Sequence, residues 1–109
     1  MTLLEVILEC LDKVKAKDIL VYDTKERSPF YDNMILCTVD SERQATAVIS
    51  YIKEDTYLNG YDVRSIDGAE TPWVVVDCNE VIVSIFTKAE REHFNLEEIY
   101  MNVNCIKKD

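Results

Sequence analysis

Glycine and proline are scarce in this chain, with two of each among 109 residues. Both glycines stand in turn dipeptides, Asn59-Gly60 and Asp67-Gly68. They therefore cannot supply the glycine-rich loop that brings backbone amides close to a phosphate. So few breakers also leave little room for long irregular loops. Histidine occurs once, as His93 among Glu90, Arg91 and Glu92, where a solvated surface histidine is the better account than a catalytic base, and zinc is left without a ligand set at recognisable spacing. The four cysteines, Cys10, Cys37, Cys78 and Cys105, are too dispersed for a paired-ligand motif and too sparse for a secreted disulfide framework. Cys37 and Cys78 sit in or beside apolar runs, where a free thiol behaves as a small buried hydrophobe. No apolar run approaches the roughly 20 residues of a membrane span, and Glu5, Glu9, Asp12 and Lys13 interrupt the N-terminal apolar residues as no cleavable signal would. A reducing cytoplasm is the expected setting, with no membrane partner. Basic residues are in deficit as well, 12 against 21 acids for a net charge of −9. Nucleic-acid affinity comes largely from clustered Lys and Arg on phosphates, so nucleic acid is not expected as the main contact. The balance fits a basic protein partner drawn in by electrostatic steering, and it fits equally an acidity that only maintains solubility.

What the chain does have is an ordinary globular composition, 48% hydrophobic and 30% charged. Its length is that of one domain, residues 1–109, able to bury roughly two-thirds of its unfolded surface. Thr2 followed by Glu5 is a capping box, and Leu4, Ile7, Leu8, Leu11 and Val14 recur behind it at helical spacing. Asp18–Asp23 reads as a short strand, residues 24–32 as a connection containing Ser28-Pro29, and Met34–Val39 as an almost wholly apolar strand covered on both faces. Ser41 with Gln44 marks a second helix start, with Ala45, Val48, Ile49 and Ile52 as its buried stripe. A strand over Tyr61–Ile66, a hairpin of 73–77 and 81–86, and a helical region over about 88–102 complete the order. This predicts an α+β domain with one mixed sheet of five strands and flanking helices.

Few residues in this framework suggest chemistry. Glu90 and His93 have the Glu-x-x-His spacing of di-iron bundles, but a second such pair is missing. Asp40-Ser41-Glu42 resembles paired metal acids only superficially, because its place at a helix start makes capping the better account. Asp77 and Glu80 flank a hairpin turn, where such residues bond locally. Trp73 is different. It follows Pro72 at a strand start, a sheet-margin position where an indole stays half-exposed, and it shares a face with Val75 and Asp77 while Val74 and Val76 point the other way. With Phe94 and Tyr100 on an acidic C-terminal segment, it offers aromatic anchors among acids, a surface suited to docking on a basic protein.

Five segments carry a resemblance. They are Asp18–Asp23; Tyr31–Thr38 running into Ser41-Glu42-Arg43-Gln44; Trp73–Asp77; Glu80–Val83; and Glu90–Glu97. In order and spacing they resemble the ribosomal silencing factors of the Iojap family over nearly the whole chain. The resemblance implies an α/β sandwich similar to nucleotidyltransferases, without established enzyme activity or cofactor. It implies binding to the large ribosomal subunit through a ribosomal protein at the intersubunit face, steric blockage of small-subunit joining, and repression of translation when nutrients are scarce. Some members form homodimers, so monomer and homodimer both stay open. The family's partner-facing residues correspond to Trp73 and Phe94, with Arg91, Leu96, Glu97 and Arg43 matching beside them. The chain departs from the family pattern at Val39-Asp40, where a glycine is usual, at Asn79 in the hairpin turn, at Ser84 in place of a histidine and at Tyr100 in place of a tryptophan. A ribosome-assembly factor or scaffold is the neighbouring alternative. A nucleotidyltransferase-like enzyme is the distant one, because the Gly-Ser phosphate turn it would need is missing.

Overall fold

The computed structural model describes residues 1–26, 29–93 and 105–108. Helix α1 (Leu3–Lys13) starts where the sequence places it. The Thr2 hydroxyl accepts from the Glu5 amide and the Glu5 carboxylate accepts from the Thr2 amide, so both halves of the capping box are formed. Its buried row is Leu3, Val6, Ile7, Cys10 and Leu11, while Leu4, Leu8 and Val14 are only partly buried at the flank. The helix is thus rotated from the expected stripe, and Val6 and Cys10 take the inward positions.

Strands β1 (Lys17–Asp23) and β2 (Asn33–Val39) pair antiparallel, and α2 (Glu42–Leu58) follows. The Ser41 hydroxyl accepts from the Gln44 amide at 3.1 Å. The Gln44 side chain reaches back not to Ser41 but to the Asp40 amide, at 2.6 Å, and its amide nitrogen donates to the Val14 carbonyl. One glutamine therefore caps α2 and ties it to the end of α1. Ala45, Val48, Ile49 and Ile52 are buried as expected, with Thr56 added. A buried hydroxyl needs a partner, and that of Thr56 donates to the Ile52 carbonyl.

Strands β3 (Ser65–Asp67), β4 (Trp73–Asp77) and β5 (Val81–Thr87), the short helix α3 (Lys88–His93) and strand β6 (Cys105–Lys108) are the remaining described elements. The five expected strands are present, and β6 extends the sheet to six in the order β3-β4-β5-β2-β1-β6. Among the described residues only β2 and β5 run parallel; the other neighbours are antiparallel. The crossover that the parallel pair requires is made by α2, β3 and β4 together. The strand expected over Tyr61–Ile66 is shorter, Ser65–Asp67. Residues 61–64 do other work: Tyr61 donates its amide to Thr56 and its hydroxyl to the Met1 carbonyl, and Tyr61 and Val63 pack on the core instead of alternating in a ladder. Of the helix expected over 88–102, α3 is the described part. Phe94, Leu96, Glu97 and Tyr100 lie outside the described residues, as does Ser28 in the β1–β2 connection.

The alternation of the strands divides the apolar residues between two faces. Ile19, Val21, Ile35, Cys37, Val39, Val74, Val76, Val81, Val83 and Ile85 meet α1 and α2 in the main core. Leu20, Tyr22, Leu36 and Phe86 form a second cluster on the reverse face, with Met34 and Trp73 packed against it. The apolar β2, in which only Met34 is not fully buried, is thus covered on both faces as its composition requires.

Candidate partner-binding site

Trp73 opens β4 opposite Phe86 in the ladder. The two rings stack with centroids 5.2 Å apart and planes 20° from parallel, an arrangement worth roughly 0.5–1.5 kcal/mol beyond simple burial. Trp73 is half-buried, as its marginal position predicts, while Val74 and Val76 are fully buried on the helix side. The chain approaches this tryptophan through a tightly knit turn. The Thr71 hydroxyl donates to the Gly68 carbonyl at 2.6 Å and lies 3.0 Å from the Trp73 carbonyl, and the Pro72 carbonyl accepts from Thr87. The indole therefore rests on Phe86, and the turn fixes the backbone that carries it. Phe86 was not singled out from sequence, although the alternation of Ile82, Ser84 and Phe86 against Val81, Val83 and Ile85 is the signal that places it on the tryptophan's face.

The register gathers several of the expected residues at one end of the sheet. Val39 sits beside Thr87, and Trp73 beside Phe86, so the ends of β2 and β5, the start of β4 and the segments that follow β2 and β5 share that end. Arg43 stands exposed in the first turn of α2. Arg91, on α3, turns partly inward: its guanidinium donates to the Asp18 carbonyl at 3.0 Å and to the Thr38 hydroxyl at 3.1 Å. Asp18 has a φ of +50° at the point where the β1–β2 register shifts, so this bulge presents its carbonyl to the arginine. Arg91 thereby clamps α3 across β1 and β2. Phe94, Leu96 and Glu97 follow it in sequence, outside the described residues.

Of the groups weighed for chemistry, Asp77, Asp40 and Glu42 have local explanations. Asp77 accepts from the Asn79 amide at 2.8 Å, and Asn79 takes a φ of +73°, so asparagine stands in for glycine in this turn. Glu42 lies in the positive first turn of α2, and Asp40 is 3.9 Å from Lys17. The thiols of Cys10, Cys37 and Cys78 are free and buried, and burial pushes each up to about 12, against 9.0 for an ordinary thiol. Such thiols are poor nucleophiles. Lys13 and Asp55, 2.7 Å apart, tie α1 to α2, with the Cys10 thiol donating to the same carboxylate. Their hydrogen bond lowers the Asp55 carboxyl and raises the Lys13 amine. Among the described residues no three His, Cys, Asp or Glu side chains converge as a metal site would need, and no helix is long and apolar enough to cross a membrane.

Comparison with known proteins gives the family and the fold. The family model described as "Ribosomal silencing factor during starvation" matches residues 1–109. A ribosomal silencing factor from Haemophilus influenzae is 35% identical over 101 residues, covering 92% of this chain and 99% of that protein. The Bacillus subtilis factor is 33% identical over 100 residues, 91% of this chain and 85% of that one. The chloroplastic Iojap protein of Zea mays is 28% identical over 93% of this chain and 44% of its own length. Among solved structures, a Chromobacterium violaceum protein superposes with a TM-score of 0.85 at 29% identity, covering 91% of this chain and 83% of that one. A Bacillus halodurans protein superposes at 0.84 with 27% identity and 96% of each chain. With a match along its whole length and the same fold in its relatives, the chain belongs to the ribosomal silencing factor family.

Proposed function

We propose that this chain binds the large ribosomal subunit in the cytoplasm, docking through the Trp73 end of its sheet onto a basic ribosomal protein at the intersubunit face. Once bound it excludes the small subunit by overlap and lowers translation when nutrients are scarce. The half-buried Trp73, held on Phe86 at a sheet margin, carries this reading. Tryptophan held rigidly on such a base offers contact area at low entropic cost, which is what an interface anchor requires. Arg43 stands at the same end, Arg91 orients α3, and we assign Phe94, Leu96 and Glu97 to the same surface. The net charge of −9 favours a basic partner and speeds the encounter. Silencing by overlap calls for affinity and bulk only, so no residue is given a catalytic role and no cofactor is assigned.

Sedimentation of the two subunits with and without the protein tests the proposal. Added protein is expected to hold the subunits apart, and unchanged joining at saturating protein would refute it. Trp73→Ala is expected to weaken large-subunit binding by about 1 kcal/mol or more, roughly fivefold. An unaltered affinity removes Trp73 from the interface.

A further inference from the structure

At the end of β4 away from Trp73, Ser65 of β3 pairs with Asp77, and beside this pair a groove of about 380 Å³ opens between α2 and residues 61–66. Its lining joins the partly buried Val63 and Ile66 to the rings of Tyr57 and Tyr61. Tyr57 is 75% exposed and its neighbour Leu58 69%, an uncommon pairing of large apolar side chains at one helix end. Lys53 and Arg64 line the same groove, against a single carboxylate, Asp62. Both cations are exposed, and among the described residues neither has an acid within ion-pair distance, although acids outnumber bases in the chain by 21 to 12. The third element is the strand itself. β3 ends the sheet, and among the described residues no strand pairs with its outer edge. An open edge is a template for an added strand.

We propose that this groove binds an extended acidic peptide segment of a partner protein. The segment adds a strand along β3, seats one apolar side chain among Tyr57, Tyr61 and Val63, and places carboxylates against Lys53 and Arg64. A line of backbone groups beside an open apolar trough suits a chain better than a single small anion. Within the groove lining the two cations outnumber the one carboxylate, while Asp67 lies at the far end of β3, so the trough selects acidic over basic side chains, opposite in sign to the partner proposed for the Trp73 surface. The two surfaces are separate, and this inference stands without the ribosomal one.

The test uses the full chain and a fluorescein-labelled octapeptide of alternating glutamate and valine, with a lysine–valine octapeptide as its charge-reversed counterpart. Saturable anisotropy with the acidic peptide is expected, with amide shifts in a nitrogen-15 spectrum confined to residues 53–67. The double variant K53E/R64E is expected to lose about tenfold or more in affinity while keeping its circular dichroism spectrum. Absence of saturation up to about 1 mM peptide overturns the proposal. So does equal binding of the lysine–valine peptide, or an affinity unmoved by K53E/R64E. Sodium glutamate that displaces the peptide at equal concentration would reassign the groove to a small anion. A protein dimer that the double variant abolishes would reassign it to a second copy. Either result sinks the peptide reading.

Discussion

A Cβ at Gly68 would overlap the carbonyl oxygen of Trp73, at a backbone φ of +80°. Both effects act in the same direction, because an L side chain is strained at that φ and the space is already taken by the turn. Gly68→Ala is therefore expected to destabilise the protein by about 2 kcal/mol or more in urea unfolding, and to shift tryptophan fluorescence as the Trp73 backbone is displaced. Gly60→Ala makes a useful contrast. It shares the positive φ but has open space around it, so only the backbone cost of about 1 kcal/mol is expected. The buried thiols make a second residue-scale prediction. Cys10, Cys37 and Cys78 titrate near 12 when folded and near 9.0 when free. As pH rises past the lower value the unfolded chain releases protons that the native chain retains, so stability present below that pH is lost progressively towards the higher one. Urea midpoints measured at increasing pH should fall faster for the native sequence than for a variant with these cysteines replaced by alanine. Equal slopes would place the thiols in contact with water. That Cys37 and Cys78 would be buried was legible from the apolar runs around them. The fate of Cys10 was not, because it depends on how α1 is rotated about its own axis.

Helix ends and hairpins were the elements most open to sequence reasoning, since their signals are local. Thr2 and Glu5 form both bonds of the box, and Thr2→Ala is expected to cost about 1 kcal/mol by thermal or chemical unfolding. The second box was legible only in part: Ser41 caps α2, yet Gln44 bonds to Asp40 and Val14, because the helix–helix junction offers it a better pair of partners. The hairpin of β4 and β5 follows from its alternation, and Asn79 takes the positive φ that its turn needs. Shorter and more distant features were hidden. Residues 61–64 have strand-like composition, but Tyr61 and Val63 gain more by packing on the helix side of the core than by pairing. β6 has its partner, β1, more than eighty positions earlier in the chain, and no local pattern announces such a pairing. Arg91 is the clearest case. It matched the family's partner-facing segment in sequence, and in the structure it holds α3 to Asp18 and Thr38. Arg91→Ala is expected to raise amide exchange in α3 and at the Asp18 bulge. Arg91→Lys should restore only part of the protection, since a flexible, more strongly hydrated ammonium replaces the preorganised planar group whose Nη1 serves both acceptors.

At the scale of the whole molecule, a six-stranded mixed sheet separates a helix-covered core from a smaller apolar cluster on its reverse face, and Trp73 stands at the margin of the second. Opposed charge on the proposed ribosomal partner implies that association slows as salt rises, while dissociation changes less. A stopped-flow or surface-binding series across ionic strength reads this directly, and an association rate indifferent to salt would argue against an acidic docking face. What the sequence determined by itself was the class of the domain, the starts of its two long helices, the inward and outward faces of its strands and its kinship, because each is written in spacings of a few residues or in motifs kept in order. Only the tertiary structure decided the ring beneath Trp73, the clamp made by Arg91, the glycine that lets the chain pass behind the tryptophan and the open groove beside β3. Each of these joins segments far apart in the chain or depends on the space left when the elements pack, and neither property can be read along a single line of residues.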